Sequence, residues 1–278
     1  ETFPMTVNHD DLWSFEGKNV PIHWHNDLEI NLIREGEAVF QVYQKSYRVR
    51  TGEGFLLNRN VPHSCSSPGN EHVRYSTILV RPDFLYGDFG SDVERKCFQP
   101  FLQNSAIPCI YLTGFDENGK EILQKLNQVE EAFDRKRFCY ELKIKGLLCE
   151  AFAMILYGHR QELTKFVPAN LQELERLEKM LNYLNMHFTE VISLQDLADQ
   201  VHLSREVCCR LFKKMTGKTI TGYLEEYRVN KSFSLVQSGQ YSMTQITEMV
   251  GFSNPSRFAS AFRKRFGCNP GEYNSVKH

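Results

Sequence analysis

The 278-residue chain has no run of 18 or more apolar residues, no CxxC pair and almost no net charge, the formal value being −1. The first absence leaves no candidate for a membrane-spanning helix, no charged and apolar leader opens the chain, and no membrane partner is expected. The eight cysteines, at 65, 97, 109, 139, 149, 208, 209 and 268, keep no framework spacing. They read as reduced thiols in a cytoplasm, with burial as small hydrophobes their default role. The small net charge hides an asymmetry. Residues 193–278 hold 12 Lys and Arg against 7 Asp and Glu, and the rest of the chain 21 against 27, so the C-terminal end suits a polyanion. Outside one His/Glu stretch, no general acid or nucleophile constellation supports an enzyme.

The length suits two unequal domains, since single cores stop growing below it. Residues 20–85 read as β, with LEINLI, AVFQVY, SYRVR, GFLLN and VRYSTILV as short strands between EGE, TGEG and SPGN turns. Such spacing favours a sandwich or small barrel. The period then changes. Ile122, Leu126, Val129 and Phe133 recur at helical spacing, and ELKIKGLLCEAFAMILYGH carries a second, more apolar helix. These two helices either cap the β core or form a dimer surface, and the spacing fits both. Asn170 with Glu173 opens a further helix, which puts the domain boundary near 165 to 170.

The C-terminal half repeats itself. SLQDLADQVHLS (193–204) aligns with SMTQITEMVGFS (242–253), and RLFKKMTG (210–217) with SAFRKRFG (260–267). Each unit starts at a serine cap (Ser193, Ser242) and turns into a second helix capped by Ser204 or by Asn254 with Pro255. Each second helix stops at a glycine, Gly217 or Gly267. This is a helix-turn-helix used twice. With Val207, Leu211, Phe212, Phe258, Ala261 and Phe262 inward, the outward residues are Arg205, Glu206, Cys209, Arg210 and Lys213 on one helix. On the other they are Ser256, Arg257, Ser260, Arg263 and Lys264. Arginine can bond guanine bidentately, and serine and lysine serve base edges or phosphates.

The HLS…RLFKK…G unit, YLEEYRVNKS, VGFS…FASAFRKRFG and the closing NPGEY resemble, in order over about 100 residues, the DNA-binding domain of the AraC family of bacterial transcription regulators. The resemblance implies a linking helix near 219–237 that holds two recognition helices in successive major-groove segments. It implies promoter DNA, a small-molecule effector, a second copy of the chain and RNA polymerase as partners. Two residues depart from the family pattern. Thr247 stands where alanine is usual, and Cys208 where leucine is usual.

Near the N-terminus, GKNVPIHWHNDLEINLIREG spaces Gly17, His23, His25, Glu29 and Gly36 in a way that resembles the first motif of cupins, small β-barrels. His63 in LNRNVPH resembles their last ligand, although Asn58 and Asn60 stand where proline and glycine are usual. If the stretch is one strand, residues 23, 25 and 29 leave the same face. His23, His25, Glu29 and His63 then offer three imidazoles and a carboxylate to a divalent metal. The same four residues with Trp24 serve equally as walls of a metal-free effector pocket, for which a sugar is the first expectation.

The expected protein is α+β, with a cupin-like barrel and two helices (1–165) for sensing and dimerisation. An all-α domain with two helix-turn-helix units (168–278) follows. Its expected role is a cytoplasmic, ligand-responsive transcription factor, not an enzyme. The alternative is a metal-dependent cupin enzyme with a helical appendage.

Overall fold

A computed structural model describes residues 3–69, 71–168 and 170–275. Its N-terminal part is built on strands β1 (Met5–Asp11), β2 (Asn19–His23), β3 (Leu28–Glu35), β4 (Glu37–Val42), β5 (Lys45–Arg50), β6 (Gly54–Leu57), β7 (His63–Ser66), β8 (Arg74–Val80) and β9 (Cys109–Leu112). They form two antiparallel sheets, ordered β1-β8-β3-β6-β9 and β2-β7-β4-β5. All five strands read from the sequence are present. Strands β1, β2, β7 and β9 were not anticipated; neither NVPIH of β2 nor HSCS of β7 carries a β-rich pattern, and Pro21 argues against a strand.

Alternation along β3 divides the core. Leu28, Ile30 and Leu32 pack outward against helices, while Ile33 joins Phe40, Phe55, Leu57 and Tyr75 between the sheets. Phe40 stacks on Phe55 across the two sheets at 4.8 Å. Glu29 and Asn31 share the parity of Ile33, so the inner face of β3 is polar at one end and apolar at the other.

Short helices α1 (Pro82–Tyr86) and α2 (Gln99–Leu102) lead to the long pair α3 (Glu117–Arg135) and α4 (Tyr140–Gly158). Ile122, Leu126 and Val129 of α3 and Ile144, Leu148 and Phe152 of α4 cover the outer face of the five-stranded sheet. The inner faces of these helices therefore cap the β core, one of the two roles their spacing allowed.

After α5 (Arg160–Leu163) come α6 (Leu171–Met186), α7 (Leu194–Gln200), α8 (Arg205–Thr216), α9 (Ile220–Ser238), α10 (Met243–Met249), α11 (Pro255–Phe266) and α12 (Pro270–Ser275). Every cap expected in the repeat is made. Ser193, Ser204, Ser242 and Asn254 each accept from a backbone N–H of the first turn, and Gly217 and Gly267 close α8 and α11 in the left-handed conformation. The two helix pairs have separate cores, one on Leu177, Leu197 and Phe212, the other on Val236, Phe258, Phe262 and Phe266. Helix α9 joins them, with Tyr223 in the first core and Val229, Phe233 and Val236 in the second. No described helix is long and apolar enough to cross a membrane.

Candidate effector site and nucleic-acid interface

His23, His25, Glu29 and His63 converge, with one potential ligand atom from each lying within 4.8 Å of all the others. His23, His25 and Glu29 do not share one strand, as the parity argument assumed. His23 ends β2, His25 lies in the β2–β3 connection, Glu29 is on β3, and His63 opens β7 directly opposite His23. The convergence comes from two sheets meeting at one end.

Each imidazole is oriented by a backbone carbonyl. Nδ1 of His23 faces the Pro21 carbonyl at 3.0 Å, that of His25 the Asp27 carbonyl at 3.0 Å, and that of His63 the Val61 carbonyl at 2.8 Å. A carbonyl only accepts, so each Nδ1 carries a proton; Nε2 of His25 also donates, to the Glu29 carboxylate. Nε2 of His25 lies 2.8 Å and Nε2 of His63 3.3 Å from Oε2 of Glu29. His63 is 2 % exposed, and its Nε2 has no hydrogen-bond partner. The imidazole nitrogens thus converge on the Glu29 carboxylate, an arrangement in which a shared proton or cation offsets the cost of burial.

Burial, with the neighbouring His63, pushes His23 down to about 4, so its ring is neutral. Burial also opposes charge on His25, but the hydrogen bond and charge of Glu29 outweigh it and raise the pKa of that ring. For Glu29, burial opposes ionisation, yet His63 and the hydrogen bonds from its neighbours hold its carboxyl well below the usual carboxylate range. Asn31 Nδ2 donates to Glu29 Oε1 at 2.7 Å, and Thr77 Oγ1 lies 3.1 Å from both Asn31 Oδ1 and Asp10 Oδ2. This supporting chain was missed, although Asn31 two residues beyond Glu29 in an apolar strand was a signal for it. The two asparagines that departed from the cupin pattern also have roles. Asn60 adopts φ +56, which asparagine tolerates, and its N–H donates to the His25 carbonyl at 2.7 Å. Asn58 is buried and donates to the Phe101 carbonyl.

Trp24 corrects one expectation. It lies between His23 and His25, and its ring, with Ile22 and Tyr43, packs against the core of the first helix-turn-helix unit and not into the His/Glu cluster. A further group, His9, Glu130 and Asp134, is more exposed, and Arg34 pairs with Glu130.

On α8, Arg205, Glu206, Arg210 and Lys213 are exposed and Cys209 is half-buried, while Cys208 is buried with Sγ 3.3 Å from Met180 Sδ. On α11, Ser256, Arg257, Ser260, Arg263 and Lys264 are all exposed. Arg257 is held by Glu225 of α9 through two bonds of 3.1 and 3.3 Å. Arg265 turns the other way, toward the β domain, where its guanidinium donates to the Gly17 carbonyl at 2.7 Å.

A β domain with a polar cluster at one end, joined to two capped helix pairs whose second helices expose basic faces, defines a DNA-binding regulator with a sensor. Residues 12–152 match the AraC-like ligand binding domain and residues 197–275 a helix-turn-helix domain. The chain belongs to the AraC family of transcription regulators. It is 28 % identical over 258 residues to the uncharacterized HTH-type transcriptional regulator YdeC of Bacillus subtilis (strain 168), covering 92 % of this chain and 87 % of that protein. It is 31 % identical over 257 residues to the HTH-type transcriptional activator RhaR of Mannheimia succiniciproducens, again with 92 % and 87 % covered. It is also 21 % identical over 272 residues to the melibiose operon regulatory protein of Escherichia coli (strain K12), with 91 % and 83 % covered. These relatives are regulators, and the enzyme alternative falls with that membership.

Proposed function

We propose that the chain is a cytoplasmic regulator in which residues 1–165 sense and dimerise while residues 168–278 bind promoter DNA. The effector site is the cluster of His23, His25, Glu29 and His63. Base edges and phosphates are met by Arg205, Glu206, Cys209, Arg210 and Lys213 from α8 and by Ser256, Arg257, Ser260, Arg263 and Lys264 from α11. The observation that carries this reading is the two-sidedness of α8 and α11, each buried on one face in its own core and basic on the other. A sugar-like effector is the first class to screen, supported by the melibiose operon regulatory protein among the relatives. The outward side chains Phe138, Leu142 and Tyr157 of the α3–α4 region supply apolar surface for a second copy. RNA polymerase is the remaining partner, reached once the protein sits at a promoter.

The test is fluorescence anisotropy of the full chain on promoter-derived and random duplexes across a salt series, repeated with sugars added. Binding with a steep salt slope and a preference among promoters supports the reading. Absence of binding to any duplex at low salt would overturn it.

A further inference from the structure

The caps of α8 and α11 align the two helices residue by residue. Ser204 accepts from the Val207 N–H at 3.3 Å and Asn254 from the Arg257 N–H at 2.8 Å, so Glu206 corresponds to Ser256 and Arg210 to Ser260. All four side chains are exposed. One helix therefore offers an acid and a base one turn apart, where the other offers two hydroxyls. A hydroxyl both donates and accepts, so a serine meets any base edge. A carboxylate only accepts and a guanidinium only donates, so that pair discriminates.

Glu206 sits in the first turn of α8, the end that a recognition helix presents to base edges. Its carboxylate accepts from its own backbone N–H and from the Ser204 hydroxyl, and with Arg205 beside it these contacts hold it below the usual carboxylate range. It therefore meets DNA ionised and tethered to the helix tip. An ionised carboxylate is repelled by phosphates and by base edges that show an acceptor. In the major groove guanine shows N7 and O6, thymine O4, and adenine N7 beside its amine. Cytosine alone shows a donor, the N4 amine, with no acceptor next to it. Arg210 lies four residues on, about 6 Å along the helix axis against about 3.4 Å per base pair, so it reaches a second base pair within about two steps. Its fork matches O6 and N7 of guanine.

We propose that Glu206 is the main selector of the operator, accepting from the N4 amine of a cytosine while Arg210 holds a nearby guanine, and that Ser256 and Ser260 at the matching positions of α11 select weakly. This rests on the reading of α8 and α11 as the DNA-facing helices and names the bases that the first of them demands. Glutamine at position 206 separates selection from capping. Its amide oxygen still accepts at the helix N-terminus, but its paired donor and acceptor match N6 and N7 of adenine. The demanded base then changes from cytosine to adenine, which a residue that only caps α8 would not bring about.

The experiment selects bound duplexes from a randomised library with the full chain, wild type and Glu206→Gln in parallel, sequences them, and records the Tm of each protein. The wild type should enrich cytosine at one position by about fivefold or more over any other base, with a guanine within about two base pairs. Glu206→Gln should move that position to adenine and leave the other positions and the Tm as they were. The double variant Ser256→Ala with Ser260→Ala should return the wild-type sequence. A wild-type site without a demanded cytosine, or a cytosine that Glu206→Gln still demands, overturns the inference. So does a loss of enrichment spread over all positions with a lowered Tm in Glu206→Gln, which makes the residue a cap alone. A serine double variant that changes the selected sequence overturns the division between the two helices. Failure of the wild type to bind any duplex at low salt overturns the reading of α8 and α11 itself, so the two failures are told apart.

Discussion

Arg265, in the last turn of the second recognition helix, donates to the backbone carbonyl of Gly17 in the sensor at 2.7 Å, across 248 residues of sequence. The same turn holds Lys18, buried, with its ammonium 3.7 Å from the ring of Trp13. At the other unit, Gly217 at the end of α8 lies against the Tyr43 carbonyl of the β4–β5 turn. The sensor thus touches the C-terminal ends of both α8 and α11. Any change in docking therefore reaches both helices at once.

Gly17→Ala tests this contact. Gly17 has φ +71, and a Cβ there would sit 2.5 Å from Asn230 Oδ1 on α9. The left-handed conformation alone costs an alanine about 1 to 2 kcal/mol, and the clash adds to it. The barrel does not depend on this contact, so the expected result is undocking without unfolding. Small-angle scattering should give a larger radius of gyration with unchanged circular dichroism. An unchanged radius would mean that Asn230 yields and the docking is tolerant.

Arg210→Ala and Arg257→Ala should each cost about 1 to 3 kcal/mol on a cognate site if the side chain reads a base. Equal weakening on cognate and random duplex, with the salt slope reduced by about one, would make it a phosphate contact instead. The readout is anisotropy on both duplexes across the salt series.

Glu225→Gln makes the opposite prediction. Glu225 neutralises Arg257 from α9 through an exposed ion pair, an interaction of about 0.2 to 1 kcal/mol. Releasing it should raise affinity for random duplex by at most about fivefold while leaving thermal stability nearly unchanged. Weaker binding to every duplex would mean that Glu225 positions Arg257 for DNA and does not restrain it.

The C-terminal half was the more legible in sequence because its signals are local. Ser193, Ser204, Ser242 and Asn254 cap within three residues of themselves, and the offset repeat fixed the helix pairs. The four cluster residues lie together as their spacing suggested, but His23, His25 and Glu29 were read along one supposed strand, whereas in the fold His25 is in a connection and Glu29 is on a strand of the other sheet. Docking was not legible because its contacts, Arg265 on the Gly17 carbonyl and Ile22, Trp24 and Tyr43 against the first helix-turn-helix core, join residues far apart in sequence and leave no local pattern. Gly17 and Gly217 were noticed for a motif and a helix cap, while their second role needed coordinates.

Cys208 is one of the two departures from the family pattern, and its environment explains it. Its thiol lies 3.3 Å from Met180 Sδ in the first helix-turn-helix core, and burial pushes the thiol up to about 11, so it acts there as a small neutral hydrophobe. Cys208→Leu restores the family residue but adds volume to a filled core, for which a cost of about 1 to 3 kcal/mol is expected. If Met180 is what occupies the space of the usual leucine, Met180→Val should recover most of that loss in the double variant. A coupling energy near zero in that cycle, measured by urea denaturation of all four proteins, would separate the two residues and leave the cysteine unexplained.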